Sequence, residues 1–198
     1  MIKSKQALLE QIKADIVKNN ICPNLAREAK NLVMGDGNIN ADIVIIGEAP
    51  GKKEDESGLP FMGAAGKFLN EMLTGVNIDR SDVYITNIVK YRPPKNRDPS
   101  TEEKEQFWPF LLRQLDVIQP KIVVTLGRHS MGYFLPGQKI SQIHGQPSQV
   151  EFNNQKITVV PLYHPAAAIY RRSMREILTD DFNKLPKIIE TINNKKSI

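Results

Sequence analysis

The chain has 198 residues, of which 40% are hydrophobic and 25% charged, a composition typical of one globular domain with a sizeable core. No apolar run approaches the roughly 20 residues that span a bilayer. The single cysteine, Cys22, excludes an intramolecular disulfide and a cysteine-ligated metal or iron–sulfur site. One free cysteine is compatible with a reducing cytoplasm, where we expect the protein. The net charge of +5 favours a polyanionic partner.

Hydrophobic periodicity predicts helices alternating with buried strands. The first helix covers residues 4–19, and a glycine-rich turn or hairpin follows at residues 35–38. The β-branched run from Ile43 to Ile46 is apolar on both faces, as in a strand inside a parallel sheet, and this strand is predicted to end at Gly47. Later strands are predicted over residues 82–88, 121–126 and 157–162, and later helices over residues 64–73, 100–118, 128–135 and 180–193.

This alternation is typical of a parallel sheet with helices on both faces. We therefore predict an α/β fold, a three-layer α/β/α sandwich formed by one domain over residues 1–198. The spacing of Ser100 and Glu103 fits a capping box at the start of the third predicted helix.

Three polar side chains follow predicted strands. Glu48 comes after the first strand, Asn87 ends the second, and His164 follows the fourth. The carboxyl ends of parallel strands lie at one edge of a sheet, where ligands bind. We therefore expect a carboxylate, an amide and an imidazole around one site.

Two basic runs lie beside these positions. One contains Lys90, Arg92, Lys95 and Arg97 after the second strand, and the other contains Arg171, Arg172 and Arg175 after the fourth. Charged runs are often solvated faces. Two runs at the same edge fit a track for DNA phosphates, which position a duplex or single strand without reading its sequence.

Four segments carry a resemblance to a known family. They are GEAPGKKEDESGLPFMGAAG (47–66), YITNIVKYRPPKNRDP (84–99), VVTLG (123–127) and YHPAAAIYRR (163–172). Their order and spacing resemble the motif set of the family 4 uracil-DNA glycosylases. The resemblance implies a central four-stranded parallel sheet and hydrolysis of the N-glycosidic bond of deoxyuridine in uracil-containing DNA, single- or double-stranded, as a step of base excision repair.

The resemblance also implies roles for individual residues. Asn87 would pair with O4 and N3–H of the flipped base, a pattern that cytosine reverses. Phe61 would stack on the base, and His164 would hydrogen-bond O2 and stabilise the departing anion. Glu48 would either position the attacking water or stabilise the cationic sugar. The ordinary alternatives are a strand-end cap for Asn87, a core ring for Phe61 and a packed imidazole for His164.

Further parts of the motifs would complete the binding surface. Gly47 and Ala49 would offer backbone groups to uracil, and Glu54 would exclude the methyl group of thymine unless it belongs to a solvated mixed-charge loop at residues 52–56. Ile169 or Tyr170 would enter the space that the base leaves.

One departure from the family is large. Family 4 enzymes carry four cysteines that bind a [4Fe–4S] cluster, whereas Tyr91 stands where one of them is expected. We therefore expect no cofactor and no metal, and aromatic packing by Tyr91, Phe107 and Trp108 in the vacated space. The loop KNRDP (95–99) contains no histidine, so no covalent adduct with abasic DNA is expected.

Two other functions are weighed against a monomeric, monofunctional glycosylase. The first is a binding module of the same fold that recognises uracil-containing or single-stranded DNA with weakened catalysis. The second is a nucleotide-binding enzyme, suggested by Gly58, Gly63 and Lys67, but Lys67 does not follow Gly63 as a P-loop requires.

Overall fold

One six-stranded sheet organises the computed structural model, which describes residues 3–152, 155–169 and 171–194. The strands are β1 (Asp36–Gly37), β2 (Ile43–Gly47), β3 (Tyr84–Asn87), β4 (Ile122–Leu126), β5 (Ser148–Phe152) and β6 (Gln155–Leu162). Their order across the sheet is β1-β3-β2-β4-β6-β5.

The four central strands are parallel and the two edge strands are antiparallel to their neighbours. β3, β2, β4 and β6 form the parallel core, while β1 pairs antiparallel with β3 and β5 with β6. The predicted α/β fold is confirmed, but the sheet is mixed and has six strands rather than four. Strand β5 was not predicted because only Val150 and Phe152 of its five residues are apolar. Its side chains are alternately half-buried and exposed, as in a strand covered on one face only.

The helices lie between and beyond these strands. They are α1 (Lys5–Lys18), α2 (Pro23–Glu28), α3 (Lys52–Ser57), α4 (Ala64–Gly75), α5 (Thr101–Ile118), α6 (Arg128–Phe134), α7 (Ile140–Ile143), α8 (Ala166–Ile169) and α9 (Arg172–Asn194). The capping box predicted for α5 is present: Ser100 Oγ accepts from the Glu103 amide, and Glu103 Oε2 accepts from the Ser100 amide. None of the described helices is both long and apolar enough to cross a bilayer.

Two hydrophobic cores lie on opposite faces of the sheet. Successive residues of a strand face opposite sides, so Val44 and Ile46 enter one core while Ile45 enters the other. The first core contains side chains of α1, α2, α5 and α6, and the second contains side chains of α4, α8 and α9. These layers leave the carboxyl edge of the parallel strands to the loops that form the site.

Candidate active site

A pocket of about 350 Å³ opens at the carboxyl edge of the sheet. After β2 the chain adds β3 on one side and later β4 on the other, and such a reversal opens a crevice in an open α/β sheet. Glu48, Asn87 and His164 therefore meet around one cavity. Its other lining residues are Ala49, Pro50, Gly51, Glu54, Phe61, Ala65, Pro93, Asn96, Arg97, Asp98, Pro99 and Ala166.

Gly47 permits the amide of Asn87 and the ring of Phe61 to converge. A Cβ atom on Gly47 would lie 2.3 Å from Asn87 Oδ1 and 2.7 Å from Phe61 Cζ. Both distances are far below van der Waals contact. A side chain at this position would displace one wall of the pocket or the other.

Phe61 adopts a backbone conformation that is rare for a bulky residue. Its φ is +54°, and its carbonyl oxygen would lie 1.7 Å from a Cβ on Gly66, so α4 can pack here only through a glycine. The ring is stacked near that of His164, with centroids 5.7 Å apart and planes inclined by 28°. The tight turn at Phe61 thus holds its ring beside the imidazole of His164 in the pocket.

His164 is held as a neutral hydrogen-bond donor. Burial lowers the pKa of its imidazole to about 4, so the ring is uncharged at neutral pH. The backbone N–H of Ala166 donates to Nδ1 at 3.1 Å. Because Nδ1 accepts, the ring proton lies on Nε2, which remains to donate to a ligand.

Glu48 is a carboxylate whose ionisation is costly. Burial, followed by the negative charge of Asp98, raises the pKa of Glu48 to about 7, while Lys104 and Arg128 oppose the shift. Its Oε1 atom is buried without a hydrogen-bond partner. A carboxyl group that titrates near neutral pH in a pocket is suited to accept a proton from water.

A cluster around His129 adjoins Glu48, and the sequence did not reveal it. His129 Nε2 lies 3.6 Å from Glu48 Oε1 and 3.5 Å from Asp98 Oδ2. These three side chains could offer ligand atoms within 4.8 Å of one another. Lys104 Nζ, 3.4 Å from His129 Nδ1, and Arg128 Nε, 3.2 Å from Nε2, place positive charge there. Those charges oppose a divalent cation and instead favour the anionic form of Glu48.

Glu54 braces one wall of the pocket. Residues 52–57 form α3 rather than a solvated loop. One carboxylate oxygen of Glu54 accepts from the amides of Met62 and Gly63, both at 2.7 Å, and the other from Gly51 at 3.1 Å. Glu54 therefore fixes the turn that carries Phe61 as well as lining the cavity.

The first basic run only partly faces solvent. Lys95 is exposed, while Arg92 donates to Asn96 Oδ1 at 2.7 Å. Arg97 lines the pocket but makes a two-pronged ion pair with Glu103, with N–O distances of 2.6 and 2.8 Å.

Lys90 does not belong to this basic surface. Its side chain is fully buried, and its Nζ donates to Thr86 Oγ1 and to the Asn87 carbonyl. The prediction that Lys90 contacts DNA phosphate is therefore corrected. A charged run in sequence does not reveal that one of its side chains folds back beneath the strand.

The second basic run lies beyond His164. Ile169 is among the exposed large hydrophobic side chains, and Arg171 and Arg172 are exposed after it. Arg175 is also exposed, pairs with Glu71 and packs over the ring of Phe68, 4.4 Å from its centroid. Tyr170, the other predicted wedge, lies outside the described residues.

The region around Cys22 does not fit an iron–sulfur cluster. Such a cluster needs four thiolate ligands, and the chain has one cysteine. Cys22 Sγ donates to the Glu103 carbonyl, and burial raises the pKa of the thiol to about 12. Tyr91 packs edge-on against Phe107, as predicted, but Trp108 packs against Tyr133.

Comparisons with known proteins agree with the motif set. The family model of the Uracil DNA glycosylase superfamily matches residues 34–192. A Type-4 uracil-DNA glycosylase of Archaeoglobus fulgidus is 43% identical, covering 91% of this chain and 92% of its own length. Type-4 uracil-DNA glycosylases of Sulfurisphaera tokodaii and Thermotoga maritima are 42% and 38% identical, covering 92% and 94% of this chain and 86% and 97% of their own lengths.

Proposed function

The chain belongs to the uracil DNA glycosylase superfamily, and from this premise we propose that it hydrolyses the N-glycosidic bond of deoxyuridine in DNA, which releases uracil and leaves an abasic site for base excision repair. The observation that carries the proposal is one pocket lined by Glu48, Phe61, Asn87 and His164. The reaction needs a base-reading group, a donor for the leaving anion and a carboxylate for water or sugar, and these side chains supply them.

Asn87 reads the base. Its amide donates to uracil O4 and accepts from N3–H, whereas cytosine presents an amino group and an unprotonated N3 at these positions. Asn87 is 2% exposed, and an unmade hydrogen bond is costly at a buried group. Phe61 covers one face of the base, and the wall braced by Glu54 limits the space at its edge.

His164 stabilises the leaving group. Breakage of the glycosidic bond transfers its electron pair to uracil and develops negative charge on O2. The Nε2–H of His164 donates to that oxygen, and a neutral donor keeps its proton while it stabilises the anion. The hydrogen bond from Ala166 holds the ring in this tautomer before the charge appears, as electrostatic preorganisation requires.

Glu48 acts on the sugar or on the attacking water rather than on the base. In its ionised form it stabilises the oxocarbenium-like sugar or accepts a proton from the water that adds to C1′. Either role requires the carboxylate, so we expect the rate to rise with pH through about 7, the pKa of Glu48.

DNA reaches the pocket over the exposed cations. Lys95, Arg171 and Arg172 contact phosphates, and Ile169 enters the space left by the extruded base. We propose that a monomer acts on single- and double-stranded DNA, since the pocket is formed by one chain and phosphate contacts do not depend on base pairing.

A glycosylase assay tests the function. An end-labelled oligonucleotide with one uracil is tested single-stranded and opposite guanine or adenine, with alkali to cleave abasic sites and Glu48→Ala as the control. We expect alkali-dependent cleavage by the wild type only. Binding of uracil-containing DNA by folded protein without cleavage would instead assign it as a binding module.

Replacing Asn87 by aspartate should weaken the selection of uracil. The carboxylate cannot donate to O4, and an unmade hydrogen bond costs ~1–3 kcal/mol, so the ratio of kcat/KM for uracil to that for cytosine should fall roughly 5- to 150-fold. Asn96→Asp, which adds the same charge elsewhere in the pocket lining, is the control. An unchanged ratio in folded Asn87→Asp would mean that another group reads the base.

Replacing Asp98 by asparagine should extend activity to lower pH. The charge of Asp98 raises the pKa of Glu48, so its removal lowers that pKa and keeps the carboxylate ionised at lower pH. With a pKa of about 7 for Glu48, the wild-type rate at pH 6 is about a tenth of that at pH 8. We expect this ratio to rise in single-turnover measurements on Asp98→Asn. An unaltered pH profile in Asp98→Asn would mean that a group other than Glu48 causes the pH dependence of the rate.

A further inference from the structure

Lys90 occupies an unusual position for a lysine. The side chain is 0% exposed, and none of the ion pairs among the described residues includes it. Lysines are almost never fully buried unless they are paired. The side chain of Lys90 is buried next to Thr86 and Asn87, the last two residues of β3.

The contacts of Lys90 converge on Asn87. Its Nζ donates to the Asn87 carbonyl at 2.6 Å and to Thr86 Oγ1 at 2.7 Å. Thr86 Oγ1 in turn donates to the Met34 carbonyl at 2.7 Å, so it accepts from the amine. Two N–H bonds to two acceptors match the donor capacity of an uncharged amine. The burial that moves the pKa of Lys90 well below its usual range agrees with this state.

The same segment is tied to the turn that carries Glu48. Beyond β3 the amides of Ile88 and Val89 donate to the carbonyls of Gly47 and Glu48, at 3.1 and 3.0 Å. The Asn87 carbonyl accepts from Lys90 Nζ. The amine thus donates to a backbone carbonyl at the same strand end that these two hydrogen bonds tie to the turn.

We propose that Lys90 is a positioning residue that fixes the Asn87 amide in the orientation that reads uracil. The proposal rests on the proposed function, because it gives Asn87 that task. Lys90 touches neither substrate nor reacting atoms, and it acts through the backbone of Asn87. A displacement of about 1 Å at a substrate-orienting group costs on the order of 10²-fold in rate. Loss of the hydrogen bond from Lys90 to the Asn87 carbonyl should therefore slow the reaction.

A double-mutant cycle tests the proposal. Lys90→Met keeps the length of the side chain and removes its donors. We expect Lys90→Met to lower kcat/KM on the uracil oligonucleotide by about 10- to 100-fold when Asn87 is present, and by less than about threefold in the Asn87→Ala background, because the orientation it supports is then absent. Equal losses in both backgrounds, or no loss in folded Lys90→Met, would overturn the proposal.

Gln114→Met is the matched control. Gln114 is equally buried, donates to the same Met34 carbonyl and to the Tyr84 hydroxyl, and makes no described hydrogen bond to Asn87. Its effect on kcat/KM should be the same with or without Asn87. If Gln114→Met were coupled to Asn87 as strongly as Lys90→Met, any buried polar group nearby would have the same effect. That result would overturn the specific role of Lys90.

Folding and function are separated within the same set. If Lys90→Met does not fold, Thr86→Val replaces it in the cycle, since it removes one acceptor of the amine and keeps the size of the side chain. Coupling to Asn87 is again expected, and additivity would refute the proposal. Failure of the wild type to release uracil would refute the proposed function itself, a result that needs no Lys90 variant.

Discussion

Glu48→Gln is expected to lower the single-turnover rate of uracil release by about 10²–10⁴-fold, the range that general acid–base groups supply. Glutamine has the shape of glutamate but can neither accept a proton from water nor stabilise a cationic sugar with a full charge. Because Glu48 Oε1 is buried and makes no hydrogen bond, the substitution removes charge from the pocket and breaks only the 3.6 Å ion-pair contact of that oxygen with His129. Folding should therefore be preserved.

The pH profile distinguishes this role from a structural one. The wild-type rate should rise through about pH 7, where Glu48 titrates, whereas the rate of Glu48→Gln should be flat across that interval. Glu56→Gln, which alters a carboxylate outside the pocket lining, should retain both the rate and the rise. A variant at position 48 with the wild-type rate and pH profile would assign the water-activating role to another group.

His164→Ala is expected to lower kcat by about 10²–10³-fold, the equivalent of ~2.7–4 kcal/mol for one oxyanion donor. The neutral Nε2–H is the donor that meets the developing charge on O2. The loss should be nearly constant between pH 5 and 8, because the pKa of His164 is about 4 and the wild-type ring stays neutral throughout. Rates of a single turnover on saturating substrate measure it directly.

The control for His164 is another histidine of the same chain. His144 Nδ1 donates to Oδ2 of the buried Asp181 at 2.6 Å, and His144 lies outside the pocket lining. His144→Gln should leave the chemical step unchanged. If folded His164→Ala retains the wild-type rate, the leaving anion is stabilised by some other donor and the mechanism must be redrawn.

The positions of Glu48, Asn87 and His164 followed from the sequence because strand ends in a parallel sheet share an edge. Parallel pairing of β3, β2, β4 and β6 brings residues far apart in the chain to one cavity by topology alone. The capping box of α5 was equally visible, since it depends on residues three positions apart. Both features are fixed by short-range patterns or by general rules of topology.

What the sequence could not indicate depends on side-chain direction and long-range packing. The approach of His129 to Glu48 joins the first turn of α6 to the loop after β2, which no local pattern connects. The burial of Lys90 reverses the usual preference of a lysine, so a basic run was read as surface. Helix α3 was hidden in a charged stretch because its stabilising contacts, from Glu54 to Met62 and Gly63, lie beyond the helix itself.

The packing around Cys22 has a consequence for where repair can proceed. Aromatic rings and the Arg97–Glu103 ion pair form a brace that includes no metal ligand set. The one thiol stays protonated, since its pKa is about 12, and peroxide reacts with thiolates. We therefore expect iron depletion and peroxide, which would dismantle a metal–sulfur brace, to leave these contacts in place.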